Sequence, residues 1–564
     1  MKKRYVGGGI LLAFALIVIV SPLSSPIFKD DYSTIITDNM GQILRVYLNE
    51  EDKYLFPIDI KKNIPKKLKI AALCFEDQYF KLHPGINPPS LIRAYFQNKK
   101  AGKIISGGST ITMQLARLAK PKPRTYINKI AEAIQALKIE LLYSKEEILS
   151  LYLNHAPYGS NIIGYKAAAH MYYGKQADEL SWAEAATLSV LPNAPGLITP
   201  INKRNLLLKK RNNLLKRMQE SNIINAQTCE NAQKEPIPNT INYFKITAPH
   251  FCRKIFQEEK RGVVIKTTLL KSTQIEIEKL VQQHVNYFKG LGVHNCAVIV
   301  AETQSGKVRA YVGSHDFNDK KNSGQVDGVM AYRSTASVLK PFLYALSMEQ
   351  GLILPKTIIQ DIPSYYFGFS PANPMHTFDG IVKAEEALIR SLNIPAVRLL
   401  NSYGVTEFYN FLKAAGLKSL FRSPDDYGLP LILGGAEASL YDLTALFRGL
   451  GNFGKFNTFV FLEDSDELLK PKESIFKEYI SPGAAYLVLN ILNNVKRPGA
   501  EYYWEQYANQ WPLAWKTGTS YGQRDAWAIG VSPEWVIGVW VGDFDGRSNK
   551  NLGGARFAGP LLFD

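Results

Sequence analysis

Cysteine is nearly absent from this chain: Cys74, Cys229, Cys252 and Cys296 are the four in 564 residues. That is too few for a disulfide scaffold, and their separations are not those of a metal site, so buried free thiols are expected. No fixed-period repeat and no low-complexity block occurs, which argues against a repeat array or a disordered chain. Acidic charge is in deficit, with 50 Asp and Glu against 67 Lys and Arg, a formal net charge of +17. No nucleic-acid-binding motif accompanies the basic excess, so nucleic acid is not an expected partner.

What is present describes a folded, multidomain protein. Hydrophobic residues make up 46% and charged residues 21%, and 564 residues exceed one ordinary core. The N-terminus, MKKRYVGGGILLAFALIVIVSPLSSPIF, is a positive cluster followed by an apolar run from Val6 to about Val20, ended by Pro22. The run is shorter than the ~20 residues of a full span, although Leu23, Ile27 and Phe28 extend it. A cleaved signal peptide is the competing reading. SPLSSP offers a poor small-residue cleavage site, so an uncleaved anchor over residues 1–28 is expected. Lys2, Lys3 and Arg4 then stay inside and the rest faces out. Basic surface on an exported chain suits anionic lipid headgroups or a pyrophosphate-bearing ligand.

Three short motifs follow one another in the C-terminal half: Ser337-Val-Leu-Lys340, Ser391-Leu-Asn393 and Lys516-Thr517-Gly518. A serine hydroxyl needs a base within reach, and one helical turn between Ser337 and Lys340 sets hydroxyl and amine side by side. Lys516 lowers the proton affinity of Lys340 by like-charge repulsion, while Ser391 and Asn393 supply a proton relay and an amide partner. The set resembles that of penicillin-binding proteins and class A β-lactamases. Ser474-Ile-Phe-Lys477 fits Ser-x-x-Lys equally well, but it lies in KPKESIFKEY, a solvated helix start in which Ser474 reads as a cap. Ser337 instead opens the apolar run SVLKPFLYALSMEQGL, whose Pro341 is tolerated in a first turn. Lys516 falls on a strand, because WPLAWKTGTS leads into the apolar runs AWAIGV and WVIGVWVG.

The first half carries different chemistry. Residues 29–60 read as β-rich, with an Asn-Met-Gly turn, and from Lys61 the pattern is helical. AALCFEDQYFKLHPGI embeds Glu76 and Asp77 among apolar and aromatic residues, where a carboxyl gains proton affinity, as a general base must; an ion-paired or capping acid is the bland alternative. SGGSTITMQLARLAKPKPR is a glycine turn leading into a helix, with Arg117 and Arg124 downstream, groups that suit phosphate oxygens. INKIAEAIQALKIELL has apolar residues at 127, 130, 134, 137 and 141 with Glu132 on another face, and Ser144-Lys-Glu-Glu147 is a capping box. Two carboxylates with basic residues between them are equipment for a glycosidic centre.

EDQYFKLHPG, GGSTITMQ, KIAEAIQALKIELLYSKEEILSLYLN, APYGSNIIGYKAAA and LSWAEAATLSVLPNAP resemble the five successive motifs of the family 51 peptidoglycan glycosyltransferases. With the serine motifs behind them, the chain resembles a class A, bifunctional penicillin-binding protein. Met113-Gln114, NHAPYGSNI, SLNIPAV and KTGTSYGQRDAWAIGV point to the 1c subclass. The resemblance implies a multidomain α+β architecture: an N-terminal membrane anchor, a mainly α, lysozyme-like glycosyltransferase domain, then an α/β transpeptidase domain whose antiparallel sheet is flanked by helices. The implied boundaries are 1–28 for the anchor, 29–210, a linker over 211–262, and 263–564.

By the same resemblance Glu76 is the base that deprotonates the acceptor lipid II hydroxyl. Glu132 acts near the donor pyrophosphate through a divalent cation, Mg or Mn, and Arg117, Arg124, Ser109 and Gln114 line that cleft. Ser337 is acylated by the penultimate D-Ala of a stem peptide with Lys340 as base; Ser391 and Asn393 complete the proton path. Lys516, Thr517, Gly518 and Thr519 face the terminal carboxylate, and the amides of Ser337 and Thr519 form the oxyanion hole. Implied partners are lipid II, nascent peptidoglycan, stem peptides ending in D-Ala-D-Ala, β-lactams as inhibitors and the bacterial cytoplasmic membrane, with the catalytic domains in the periplasm.

Three departures from the family pattern stand out. Asn128-Lys129 replaces Arg-Lys before the second glutamate, Thr335-Ala336 replaces Pro-Gly before the nucleophile, and the sequence stops at Asp564 where the subclass continues into a β domain. The segment LIRAYFQNKKAGKI reads either as a lid or membrane-dipping element or as a plain amphipathic helix. Two functions remain open: a bifunctional enzyme, or a glycosyltransferase whose serine domain is a peptide- or β-lactam-binding scaffold.

Overall fold

The computed structural model describes residues 18–29, 31–102, 108–123, 125–193, 195–196, 198–366, 368–373, 377–463, 477–506 and 511–564. Most of the N-terminal apolar run, Arg124 and Ser474 lie outside the described residues. Among the described residues no helix is long and apolar enough to cross a membrane. The chain divides into two compact units, residues 1–35, 46–245 and 260–264, and residues 36–45, 246–259 and 265–564. The stretch expected as a linker over 211–262 is therefore folded into the units: its first part, to residue 245, belongs to one and residues 246–259 to the other.

The Asn-Met-Gly turn forms as expected. It joins strands Thr34–Thr37 and Ile43–Tyr47, with Asp38 Oδ1 accepting from the amides of Met40 and Gln42 and Gly41 at φ +81°.

The first unit is mainly helical. Its helices include α1 (Lys66–Glu76), α2 (Pro88–Ala101), α3 (Ile111–Ala119), α4 (Tyr126–Leu142), α5 (Lys145–His155), α6 (Trp182–Val190), α7 (Arg204–Glu220) and α8 (Ala226–Lys234), with a further helix, Tyr165–Tyr173, in the chain between α5 and α6. Side-chain caps start them where the sequence supplies an oxygen: Thr110 for α3, Thr125 for α4, and the reciprocal Ser144–Glu147 box for α5. The alanine-rich α6 (WAEAATLSV) lets α1 and α7 pack on it, and α3 packs on α4 and α5. The stripe read on α4 is helical, but it is not the core face: its ends are exposed and Ile134 and Leu137 are only half-buried. Ile127, Ile130 and Leu141 are 80%, 62% and 71% exposed, while Ala136 and Ile139 face the core. The segment read as lid or plain helix is α2 as far as Ala101, capped by Asn87 and ended by Gly102 at φ +64°. Its Ile92 and Phe96 are exposed.

The second unit is built on one antiparallel sheet. Its strands include β1 (Asn295–Glu302), β2 (Val308–Val312), β3 (Arg333–Ser334), β4 (Ile358–Asp361), β5 (Gly380–Lys383), β6 (Glu437–Ala438), β7 (Ala514–Thr519), β8 (Asp525–Val531) and β9 (Trp535–Gly542). Five of them form the main sheet in the order β7-β8-β9-β1-β2, all neighbours antiparallel; β4 pairs with β5 and β6 with β3. Helices cover both faces, which is why β8 is buried at every position. On one face α9 (Lys271–Lys289) contributes Val281, Val285 and Phe288 to a core with Trp515, Val539 and Val541. The remaining helices used below are α10 (Lys340–Glu349), α11 (Asn393–Tyr403) and α12 (Leu440–Gly451), with α13 (Pro482–Asn493) after them in the chain. Gly538 of β9 admits α12 closely, since a Cβ there would fall 2.0 Å from Thr444 Oγ1. All four cysteines are buried free thiols.

Candidate active sites

In the first unit Glu76 is the last residue of α1 and is half-buried. Gln114 Nε2 on α3 donates to Glu76 Oε2 at 2.7 Å, and the Tyr152 hydroxyl on α5 donates to Gln114 Oε1 at 3.2 Å. That second bond fixes which end of the Gln114 amide meets the carboxylate. Burial raises the proton affinity of Glu76; the Gln114 hydrogen bond, then Lys210 and Arg117, pull it back. Glu76 Oε1 is buried and has no hydrogen-bond partner among the described residues. A buried carboxylate with one oxygen held and the other free is arranged to accept a proton.

The neighbouring acid does something else. Asp77 meets His83 Nε2 with both oxygens at 3.0 Å and accepts the Ile111 amide at 3.1 Å, so it anchors the start of α3. Thus the capping alternative holds for Asp77 and not for Glu76. Arg117 lies near enough to Glu76 to bias its titration, and so does Lys210 on α7, whose Nζ donates to Asn193 Oδ1 at 2.9 Å. Sequence reading passed over Lys210 because it sits in a run of solvated bases. Glu132 lies on α4, half-buried, with no hydrogen-bond or ion-pair partner among the described residues. Ser109 is half-buried beside the Thr110 cap. Among the described residues no group of three His, Cys, Asp or Glu side chains is arranged to hold a metal ion.

In the second unit the three serine motifs converge. Ser337 occupies the turn that leads into α10, its carbonyl accepting the Lys340 amide at 3.3 Å; the helix proper begins at Lys340 rather than at Ser337. Lys340 is fully buried, with Nζ donating to Ser391 O at 2.8 Å and Asn393 Oδ1 at 2.7 Å and reaching Ser391 Oγ at 3.5 Å. Lys516 Nζ on β7 donates to Ser391 Oγ and to Thr517 O, both at 2.8 Å. Burial first, and the Lys516 cation second, hold Lys340 well below the usual lysine range. Burial alone pushes Lys516 down to about 7. A neutral amine beside a serine is what nucleophile activation needs.

Backbone geometry aims the serine. Ala336 has φ +49°, the left-handed region, and Ser391 has φ +57°. Gly518 lies against the serine turn so closely that a Cβ would come within 2.8 Å of Val338 Cγ2 and 3.1 Å of Ala336 Cβ. Thr519 Oγ1 accepts the Gly554 amide at 3.0 Å, and Trp527 Nε1 donates to Ser334 O at 2.9 Å, tying the sheet to the segment before the nucleophile. β7 is the edge strand of the sheet, where an extended peptide can pair.

Both units resemble known proteins. A family profile described as Transglycosylase matches residues 40–219, and one described as Penicillin binding protein transpeptidase domain matches residues 296–543. Penicillin-binding protein 1C of Escherichia coli is 37% identical over 537 residues, 95% of this chain and 68% of that protein. The chain belongs to the class A, bifunctional penicillin-binding proteins. Penicillin-binding protein 1F of Bacillus subtilis is 28% identical over 541 residues, 90% of this chain and 73% of that protein. Among solved structures, penicillin-binding protein 1A of Haemophilus influenzae shares the fold with a TM-score of 0.56 at 19% identity, covering 95% of this chain and 92% of that one. This penicillin-binding protein is a bifunctional peptidoglycan synthase, a glycosyltransferase joined to a D-Ala-D-Ala transpeptidase.

Proposed function

We propose that the first unit polymerises lipid II with Glu76 as the general base. The observation that carries this is the state of Glu76: raised in proton affinity, Oε2 held by Gln114, and Oε1 buried without a hydrogen-bond partner among the described residues. In this reading Oε1 takes the proton of the acceptor 4-hydroxyl as that oxygen attacks the donor sugar and the pyrophosphate leaves. Arg117, Arg124, Ser109 and Gln114 hold the donor side, and Glu132 serves the leaving pyrophosphate. A divalent cation there, Mg or Mn, fits only as an ion carried by the substrate phosphates, since among the described residues Glu132 offers a single carboxylate and no three-ligand cluster occurs. Such an ion would neutralise charge on the leaving group.

In the second unit Ser337 Oγ attacks the carbonyl of the penultimate D-Ala, and Lys340 takes the hydroxyl proton. The terminal D-Ala leaves with a proton passed through Ser391, and an acceptor amine then releases the acyl group. Lys516, Thr517, Gly518 and Thr519 face the terminal carboxylate, and the amides of Ser337 and Thr519 receive the oxyanion. The depressed amine of Lys340 supports turnover over a scaffold role.

The anchor is proposed as a single pass over residues 1–28 in the bacterial cytoplasmic membrane, both units lying in the periplasm. Two observations support it: Lys138 of α4 donates to Ile19 O at 2.8 Å, tying the end of the apolar run to this helix, and the same helix exposes Ile127, Ile130 and Leu141. Purified full-length protein in detergent tests the enzymatic reading. Polymerisation of lipid II, release of D-Ala from a stem peptide and covalent labelling by a fluorescent β-lactam are all expected. Labelling without D-Ala release would instead favour the scaffold reading.

A further inference from the structure

Asn393 must present its carbonyl end, not its NH2 end, to Lys340. Its Oδ1 accepts from Lys340 Nζ at 2.7 Å, and with Ser391 O it occupies the hydrogens of the amine. If the amide were reversed, its NH2 would donate to the lysine lone pair, and that lone pair is the one that takes the serine proton. Something must therefore set the orientation.

Two residues outside the three motifs do so. Asp361 ends β4 and is fully buried, with its carboxylate accepting from Asn373 Nδ2 at 2.8 and 3.1 Å and from the Asp379 amide at 3.0 Å. A carboxylate only accepts, so the NH2 of Asn373 must face it; Nδ2 also donates to Thr377 O at 2.9 Å. Asn373 Oδ1 is thereby turned to the start of α11, where it accepts from the amides of Asn393 at 3.0 Å and Ile394 at 3.3 Å. The residue at the cap position of α11 is Leu392, which has no side-chain acceptor, so Asn373 caps this helix from another segment. The neighbouring carbonyl, Ala372 O, accepts from Asn393 Nδ2 at 2.8 Å. With its nitrogen held there, Asn393 has only Oδ1 left for the lysine.

We propose that Asp361 and Asn373 are positioning residues for acylation: their donor–acceptor order fixes the Asn393 amide and so keeps the Lys340 lone pair free for Ser337. This rests on the reading of Ser337 as the acylated nucleophile. The charged or titratable groups bearing on these residues are Lys340, Lys516 and, through its buried hydroxyl on α10, Tyr344, whose proton affinity is raised by burial and then by Asp361.

The full-length protein tests it with a fluorescent penicillin, by following the acylation rate against pH alongside thermal melting. Asp361→Asn and Asn373→Asp, each nearly isosteric, are expected to slow acylation at least about 10-fold and to move the midpoint of its acid limb. The double exchange Asp361→Asn with Asn373→Asp puts the donor at 361 and the acceptor at 373, which still meets the two α11 amides but leaves Thr377 O without its donor, and is expected to recover part of the rate lost in the single variants. Recovery separates orientation from packing, because packing losses add. Wild-type rates and profiles in folded single variants would overturn the proposal, as would a double exchange no faster than the product of the two single losses. If the single variants fold poorly, the folded double exchange still decides. Absence of labelling in the unaltered protein, or labelling that persists in Ser337→Ala, would mean instead that the nucleophile reading has failed.

Discussion

Gln114 donates to Glu76 at 2.7 Å, and this bond is the largest influence opposing the burial that raises the carboxylate's proton affinity. Gln114→Ala is therefore expected to raise that affinity further. The acid limb of lipid II polymerisation should move to higher pH, because the base is protonated over more of the range. Measuring initial polymerisation rates across pH checks this, and an unmoved or downward-shifted limb would contradict it.

Glu76→Gln removes the base and should abolish polymerisation while β-lactam labelling persists in the other unit. It should also stabilise the protein. A carboxyl whose folded affinity exceeds its unfolded value loses stability as pH rises from about 4.5 through the folded value, so at neutral pH the buried charge is a liability. The amide carries no such charge, and a gain on the order of 1 kcal/mol is expected in thermal melts at pH 7. Near-normal polymerisation by the variant would reject Glu76 as the base.

Ala336 holds φ +49° one residue before the nucleophile, at the place where the family pattern has glycine. An alanine in the left-handed region costs about 1 kcal/mol relative to glycine. Ala336→Gly should raise the melting temperature slightly and leave penicillin acylation within about 2-fold. A marked loss of acylation would show that the alanine methyl itself, rather than the turn, aims Ser337.

The motif residues were legible because their relations are local or strongly patterned. Ser337 and Lys340 share one turn, Lys516 sits at the head of an apolar strand, and Glu76 is an acid where apolar residues belong. The missing glycine at 336 was also visible, although only coordinates show that the left-handed conformation is kept. What sequence could not give was direction and distant partnership. The α4 stripe was rightly helical, yet periodicity says nothing about which face meets the core, and this one is not the core face. Asp361 ends a short strand and Asn373 lies in the loop after it, neither in a motif, and their relation to Asn393 exists only after β4 and α11 have packed. Lys210 needs α7 folded against α1 before its charge bears on Glu76.

Gly518 is the contact between β7 and the serine turn. A methyl there would stand 2.8 Å from Val338 Cγ2 and 3.1 Å from both Ala336 Cβ and Trp527 Cδ1, distances that force strand and turn apart. Gly518→Ala should fold, since the sheet can shift by a few tenths of an ångström, but acylation should fall by more than about 10-fold as the oxyanion donors on β7 move away from Ser337. Unchanged acylation kinetics in a folded variant would show that this close approach is not required.

Lys516 shifts Lys340 by repulsion and is itself pushed down to about 7 by burial. Lys516→Met removes the repulsion, so Lys340 should hold its proton to higher pH and the acid limb of acylation should move upward. Stability gives an independent readout. Between about 7 and 10.5 the unfolded chain binds the Lys516 proton while the folded protein has released it, so this residue makes stability rise with pH across that window. The variant should lose that part of the rise in denaturant titrations. An acid limb moving downward would exclude like-charge repulsion as a cause of the low amine affinity.

The last prediction sets Ser337 against Ser474, the two serines that fit Ser-x-x-Lys. An acyl-enzyme forms only where hydroxyl, neutral lysine and oxyanion donors meet. Ser337 has a lysine in its own turn, held well below the usual range by burial and then by a second cation, and lies against the edge strand that carries Thr519. Ser337→Ala should therefore abolish covalent penicillin binding. Ser474→Ala should retain it and cost no more than a helix cap, about 1 kcal/mol. Mass spectrometry of the penicilloylated protein distinguishes the two directly: a label on the peptide containing Ser474, or one that survives Ser337→Ala, would displace the acylation site from the convergence of the three motifs.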